Sequence, residues 1–445
     1  MLETICNLLW GAGTLAFLLG TGAFLTVRTG FLPWRKLGYA LRLTLGRSAH
    51  QSGGSGISPF AALMTALAAT VGTGNIVGVA AALTAGGPGA LLWMEVSALL
   101  GLSLKFGESM LAVKYRRRAA DGRWFGGPMV VMDAALGQAG TFLGCIYALA
   151  AAAASLAIGS AAQSNAISQA LCGIPGLSPR AVGIVTALAA LPMIFGGIRG
   201  ISAASTLLVP VMGFFYISAG IAVILGNLAA LPGSLQLIFR EAFSIRAAAG
   251  GAAGTVMANA LRIGAARGIF SNEAGLGSAG IAAAAAEAVS PVQQGYIAMA
   301  GTVFDTFLVC TVTGLAICCS GALSSGADGA ALTILAFRTV LGDLGTGVIC
   351  VSLTLFAFSS ILGWAYQGES ALMFLTEGRL RPLYRLVFLA AVCWGAKAEM
   401  GTVLQLADVC SALMCLPNLV CLLSLSGEIC REMRRFQWKR SPGRL

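Results

Sequence analysis

The run Ala68-Ala69-Thr70-Val71-Gly72-Thr73-Gly74-Asn75-Ile76-Val77-Gly78 decides the fold. Apolar sequence long enough to cross a bilayer flanks it on both sides, yet its middle holds Gly72, Gly74 and Gly78 with Thr73 and Asn75 between them. Glycine lacks a Cβ and loses the most backbone entropy on ordering, so it weakens a helix and lets partners approach the backbone. Unwound backbone at membrane depth survives only where it lines a cavity or is buried in protein. One reading is therefore a discontinuous helix at a binding site. The other is a small-residue packing face on an ordinary membrane helix, with Gly74 and Gly78 one turn apart. The run alone does not choose between them.

The surrounding composition is that of a polytopic helical membrane protein. Of 445 residues, 57% are hydrophobic and 10% charged, with mean hydropathy +0.85. The 59 glycines, about 13% of the chain against a usual roughly 7%, fit helices that pack through small residues. The N-terminus does not read as a secretory signal, because Glu3 stands where a basic region belongs and the apolar run continues to Val27. The cysteines have no metal-ligand spacing, and most read as small packing residues. His50 is the only histidine, which leaves histidine-centred catalysis almost nothing to work with.

Apolar spans centre near residues 17, 71, 100, 156, 190, 218, 268, 308, 356, 393 and 416, eleven in all. The seventh, at 247–287, is too long for one straight crossing and is interrupted, as the second is. The basic segment from Arg35 to Arg47 is amphipathic and is expected on the membrane surface. Most lysines and arginines fall in loops on one side, including Arg35, Lys36, Arg116, Arg117, Arg118, Arg381 and the tail from Arg431 to Arg444. That bias places the C-terminus in the cytoplasm and, with eleven spans, the N-terminus outside. The net charge of +11 is then topological, and no nucleic-acid partner is expected.

A second interruption, Arg267-Gly268-Ile269-Phe270-Ser271-Asn272-Glu273-Ala274-Gly275-Leu276-Gly277-Ser278, resolves the ambiguity of the first. Without the first span, ten remain, and the interruptions fall in the first and sixth of these. Interrupted helices at matching positions of two five-helix halves are the pattern of an inverted-repeat transporter. An odd number of helices per half forces the halves to be inverted. The expected organisation is an all-α polytopic membrane protein. Residues 1–57 form an N-terminal transmembrane helix and basic linker, 58–235 the first repeat, 236–427 the second repeat and 428–445 a basic cytoplasmic tail.

At these motifs the sequence resembles the alanine or glycine:cation symporters, also called sodium:alanine symporters. The likeness runs over nearly the whole chain. It includes both interruptions, Gly86-Gly87-Pro88-Gly89, Gly126-Gly127-Pro128-Met129, the run from Phe356 to Trp364, and Leu416-Pro417-Asn418. It implies sodium-coupled uptake of small neutral amino acids, alanine and glycine, on the leucine-transporter-type fold with one extra N-terminal helix. Val130 and Val131 stand where many relatives have aromatic residues. Gly280 replaces a common proline, and Ala283 stands where a polar residue is common. These departures bear on gate packing and substrate range more than on the fold.

A zwitterionic substrate needs donors for its carboxylate and acceptors for its ammonium. Free N–H groups at Thr73 and Gly74 start a half-helix whose positive end favours a carboxylate, and the matching positions of the related fold bind one. Gln163 is a costly amide in an Ala-rich helix. It reads either as an interhelical hydrogen-bonding group or, as the resemblance implies, as a substrate contact. Carbonyls freed near Phe270 are further acceptors. Phe270 and Trp364 are either pocket walls or core. Sodium wants oxygen ligands. The resemblance implies the carbonyls of Ala68 and Val71 with the hydroxyls of Ser359 and Ser360, the last also beside the substrate, and a second sodium near Thr70 and Asn75. Serine pairs in membrane helices also back-bond to the preceding turn.

Glu273 is expected to orient Asn272, to pair with Arg267 or Arg262, or to approach the ammonium, with pairing favoured. Lys105 and Glu108 are expected to pair on one helix face. Asp305, with Thr306, reads either as a cap or as a partner for a cation in the eighth span.

The functional reading is a sodium symporter in the cell inner (plasma) membrane, working as a monomer in the lipid bilayer by alternating access, with sodium as coupling ion and no other cofactor. The alternative is a proton-coupled transporter or amino-acid exchanger on the same fold. No arrangement of nucleophile and base points to an enzyme.

Overall fold

Ser58 opens the first broken helix. Its hydroxyl accepts from the Ala61 amide, and Pro59 occupies the first helical position, where its missing N–H is no loss. The helix Pro59–Thr70 then stops, a short 3-10 turn covers Thr73–Asn75, and Val77–Gly86 continues after a bend of 63°. The second broken helix has the same form. Gly254–Asn272 ends, and Ser278–Ala284 resumes beyond the break. Glu273, Gly275 and Gly277 all take positive φ there, at 52°, 91° and 80°. The break is therefore shorter than the sequence predicts. Residues from Arg267 to Asn272 are still helical, which puts Phe270 and Ser271 on the last turn.

These features belong to a computed structural model that describes residues 5–6, 9–51, 56–119, 121–172, 176–243, 254–287 and 290–439. Residues 247–253 of the seventh expected span lie outside the described residues, as do Arg440 and Arg444 of the basic tail. Among the described residues, the only sheet is a two-stranded hairpin of Arg117–Arg118 and Trp124–Phe125. The predicted span centres fall on helices, except the one near residue 71, which falls in the first break. Six helices are long and apolar enough to cross a membrane, and the bent pair Pro59–Thr70 and Thr73–Gly86 makes a seventh. Ala12–Arg28 and Pro179–Phe195 are apolar but shorter.

Gly89–Tyr115 is the central helix, packed on Gly254–Asn272 and on Pro291–Thr302. Close approach explains its glycine partners. A Cβ at Gly268 would lie 2.9 Å from the Met94 carbonyl, so only glycine lets these helices meet. Gly197–Gly226 lies at the periphery, with Leu207 and Phe214 exposed as expected of a lipid-facing surface. The segment Leu37–Leu45 buries Ala40 and Leu43 and packs on Pro291–Thr302, with Tyr39 edge-on to Tyr296.

Candidate functional site

Both breaks free backbone groups from helical hydrogen bonding. In the first, the Val71 amide still bonds to Leu67, but the Gly72 amide turns to the Asn75 side chain at 3.0 Å. Among the described residues, the amides of Thr73 and Gly74 have no protein acceptor, which leaves Ala69 and Thr70 without their i+4 donors. In the second, the Ala274 amide bonds to Asn272 Oδ1 at 2.9 Å and the Gly275 amide to Glu108 Oε1 at 2.8 Å. Their normal acceptors, the carbonyls of Phe270 and Ser271, are thereby released.

The helix Asp343–Thr376 lies directly on the first break. A Cβ at Gly363 would fall 2.6 Å from the Ala69 nitrogen, and one at Gly72 would fall 2.6 Å from Ser360 Oγ. Ser359 Oγ donates to the Ala68 carbonyl at 3.3 Å. Both serines also back-bond to the Phe356 carbonyl, at 2.9 and 3.0 Å, which holds their oxygens in place and leaves lone pairs for a cation. Ala68, Ser359 and Ser360 are fully buried, and Val71 is nearly so.

A cavity of about 820 Å³ adjoins this point. Thr73, Gly74, Gln163, Phe270, Glu273, Ser360 and Trp364 all line it, together with Thr70. Ala68, Val71, Asn75 and Ser359 do not; they stand behind its wall. Gln163 sits where a π segment, Ser155–Ala162, returns to α-helix, and its Nε2 donates to Ile158. Its Oε1 accepts from Thr73 Oγ1 at 3.5 Å, so it faces the first break. Trp364 is buried to 1% exposure and backs onto Gly159, where a Cβ would collide with it.

Three expectations need correction. Glu273 does not pair with Arg262 or Arg267, whose side chains are exposed. Ser278 donates to its carboxylate. It does not orient Asn272 either, whose oxygen is taken by Ala274. Lys105 and Glu108 form no ion pair: Glu108 Oε1 is claimed by Gly275 and by Asn418 Nδ2 at 2.8 Å, and Lys105 lines a separate small cavity. Asn75 takes the Gly72 amide on its oxygen, and its nitrogen faces Asp305. That nitrogen donates to Asp305 Oδ1 at 2.5 Å and to Ser271 Oγ at 3.1 Å. Asp305, on a second π segment (Val303–Cys310), is thus the centre of a polar cluster with Asn75, Ser271 and Thr306.

Sequence reasoning missed Ser271 and the supports of the second break. Tyr147 donates to the Leu276 carbonyl at 2.9 Å, and Asn418 to that of Gly275 at 2.9 Å. Asn418 carried a signal, as an amide in an apolar run; Tyr147 carried none.

The cavity follows the N-terminal halves of Asp343–Thr376 and Met400–Ser424, from Ser360 and Ser411 to Met400. The opposite end is closed. Glu369 accepts from Arg381 Nε at 2.5 Å and from Arg385 Nε at 2.6 Å, and Asp121 joins Arg381 at 3.0 Å. The chain before the first broken helix is stitched to the end of the second. Glu287 N donates to the Ile57 carbonyl at 2.8 Å, and Gly56 N to Glu287 Oε1 at 2.6 Å.

The fold is similar to that of a solved transporter, MhsT in complex with L-phenylalanine. The two align with a TM-score of 0.58 at 15% identity, over 85% of this chain and 89% of that one, which establishes the leucine-transporter-type fold. The sequence profile of the sodium:alanine symporter family matches residues 1–445. The chain belongs to the sodium:alanine symporter family. Within that family it is similar to the sodium/alanine symporter AgcS of Methanococcus maripaludis, 40% identical over 98% of this chain and 96% of that protein. It is also similar to the probable sodium/glutamine symporter GlnT of Bacillus subtilis, 35% identical over 98% of this chain and 90% of that one. This sodium:alanine symporter family member is a transporter and not an enzyme.

Proposed function

We propose that the protein imports small neutral amino acids, alanine and glycine among them, together with sodium by alternating access. The observation that carries this reading is the pairing of opposite backbone poles at one break. Unbonded amides of Thr73 and Gly74 offer donors to a carboxylate, while a few residues away the carbonyls of Ala68 and Val71 with Ser359 and Ser360 offer oxygens to sodium. The glycines let substrate reach the amides, and Ser360 stands between both groups. Glu273, lining the cavity and free of any arginine, is the acceptor for the ammonium, with the Phe270 carbonyl. Phe270 and Trp364 are the walls that limit side-chain size.

Closure of the cavity on sodium and amino acid, and opening of the Glu369 and Gly56 contacts on the other side, are the two ends of the cycle. Relatives named for sodium with alanine and sodium with glutamine support the coupling and the substrate class. Eleven crossings, repeats at 58–235 and 236–427, a cytoplasmic C-terminus, residence in the plasma membrane and a monomeric state complete the proposal. Uptake by proteoliposomes, titrated with sodium at fixed pH, tests it. Alanine uptake indifferent to sodium removes the reading.

A further inference from the structure

A second, smaller cavity adjoins the substrate cavity, with Thr70 in the wall of both. Its walls include Thr70 and Asn272, the last helical residues before the two breaks, and Lys105 and Asp305. Its volume, about 20 Å³, is enough for roughly one water-sized species. Lys105 is 4% exposed in the middle of Gly89–Tyr115. Among the described residues, its ammonium makes no hydrogen bond or ion pair. An ammonium has three donors and no acceptor, so it calls for acceptors in the cavity that Lys105 lines. Two acceptors in the same lining, Gln294 Oε1 and Thr302 Oγ1, are also buried without partners among the described residues. Asp305 is the carboxylate of the lining and Lys105 its cation.

A buried carboxylate held only by neutral donors such as Asn75, Ser271 and Thr306 still lacks a counter-charge. A bound sodium would supply one for part of the cycle. A lysine on a flexible stem supplies one throughout, and its donors match the unmet acceptors around it. We propose that Lys105 is a tethered cation that serves Asp305 where a second sodium ion would otherwise sit, so the carrier moves one sodium per amino acid. The inference rests on the sodium-coupled reading above.

The test is the reversal potential of alanine flux in proteoliposomes of the wild-type protein. One sodium per alanine is expected, and two per alanine overturns the inference. Undiminished alanine flux in sodium-free buffer sinks sodium coupling itself, a different failure. In K105Q and K105M, sodium dependence should turn sigmoidal and half-saturating sodium rise roughly fivefold, with alanine affinity at saturating sodium within about twofold of wild type. K105R should behave as wild type. An unchanged hyperbolic sodium curve in K105Q, or loss of alanine binding even at saturating sodium, marks Lys105 as merely structural. The wild-type ratio decides the matter if the variants do not fold.

Discussion

Ser359 donates a hydrogen bond to the Ala68 carbonyl at 3.3 Å, joining Asp343–Thr376 to the end of the first half-helix. The contact matters because that carbonyl sits where the helix stops. An oxygen pair held together without an ion is preorganised for one.

Removing either hydroxyl should therefore weaken sodium more than substrate. Ser359→Ala and Ser360→Ala should each raise half-saturating sodium roughly fivefold to tenfold, about 1–1.4 kcal/mol, with thermal stability nearly unchanged. The hydroxyls otherwise only back-bond to Phe356. Sodium titration of alanine uptake reads this, and an unmoved curve argues against both ligands.

Gly74 tests the carboxylate site. A Cβ there meets nothing closer than Ser271 Cα at 3.9 Å, so Gly74→Val can fold. Its side chain would cover the amides that face the cavity. Alanine binding should fall at least roughly a hundredfold while the melting temperature holds, as calorimetry would report. Wild-type affinity in that variant would refute the assignment.

Trp364 sets the size limit. Gly159 lies directly behind it, so the ring cannot retreat. Trp364→Phe should admit larger neutral amino acids, shifting preference from alanine toward valine by roughly tenfold, since one methylene is worth about 1–3 kcal/mol in an apolar pocket. Competition of unlabelled amino acids against labelled alanine measures it.

The closed end depends on Glu369, a carboxylate at 4% side-chain exposure that holds Arg381 and Arg385. Glu369→Gln should leave two guanidinium groups poorly compensated and populate the opposite opening. Hydrogen exchange over residues 56–70 should rise, and no change would contradict the role. Asp121, in the loop beside Arg381, is held well below the usual carboxylate range by its hydrogen bond to Arg123. A depressed folded pKa stabilises above the unfolded value and is lost as pH falls toward the folded one. Its contribution should therefore stay flat from about pH 8 to about pH 5 and fade only below about pH 4. The same exchange measurement across pH checks the sign.

The architecture was legible because glycines and polar residues inside apolar runs have few explanations in a bilayer. Gly72 to Gly78 and Gly268 to Gly277 were read as a matched pair, and the chain bends or breaks in both. Less legible was anything that depends on which face a side chain takes. Lys105 and Glu108 stand one turn apart, which predicts a pair, but Gly275 and Asn418 approach Glu108 from other helices and take its oxygen. Glu273 looked destined for an arginine until the left-handed turn at its own φ of 52° aimed it at Ser278. Local sequence does not encode such tertiary competition. The π segments that set Gln163 and Asp305 left no mark in the sequence either.

The central claim is that one break binds sodium and amino acid together. Calorimetric titration of the purified protein with L-alanine, in sodium and in choline buffer at one pH, tests it most directly. The account predicts binding in sodium and a loss of at least roughly a hundredfold in choline. Equal affinity in the two buffers would contradict it.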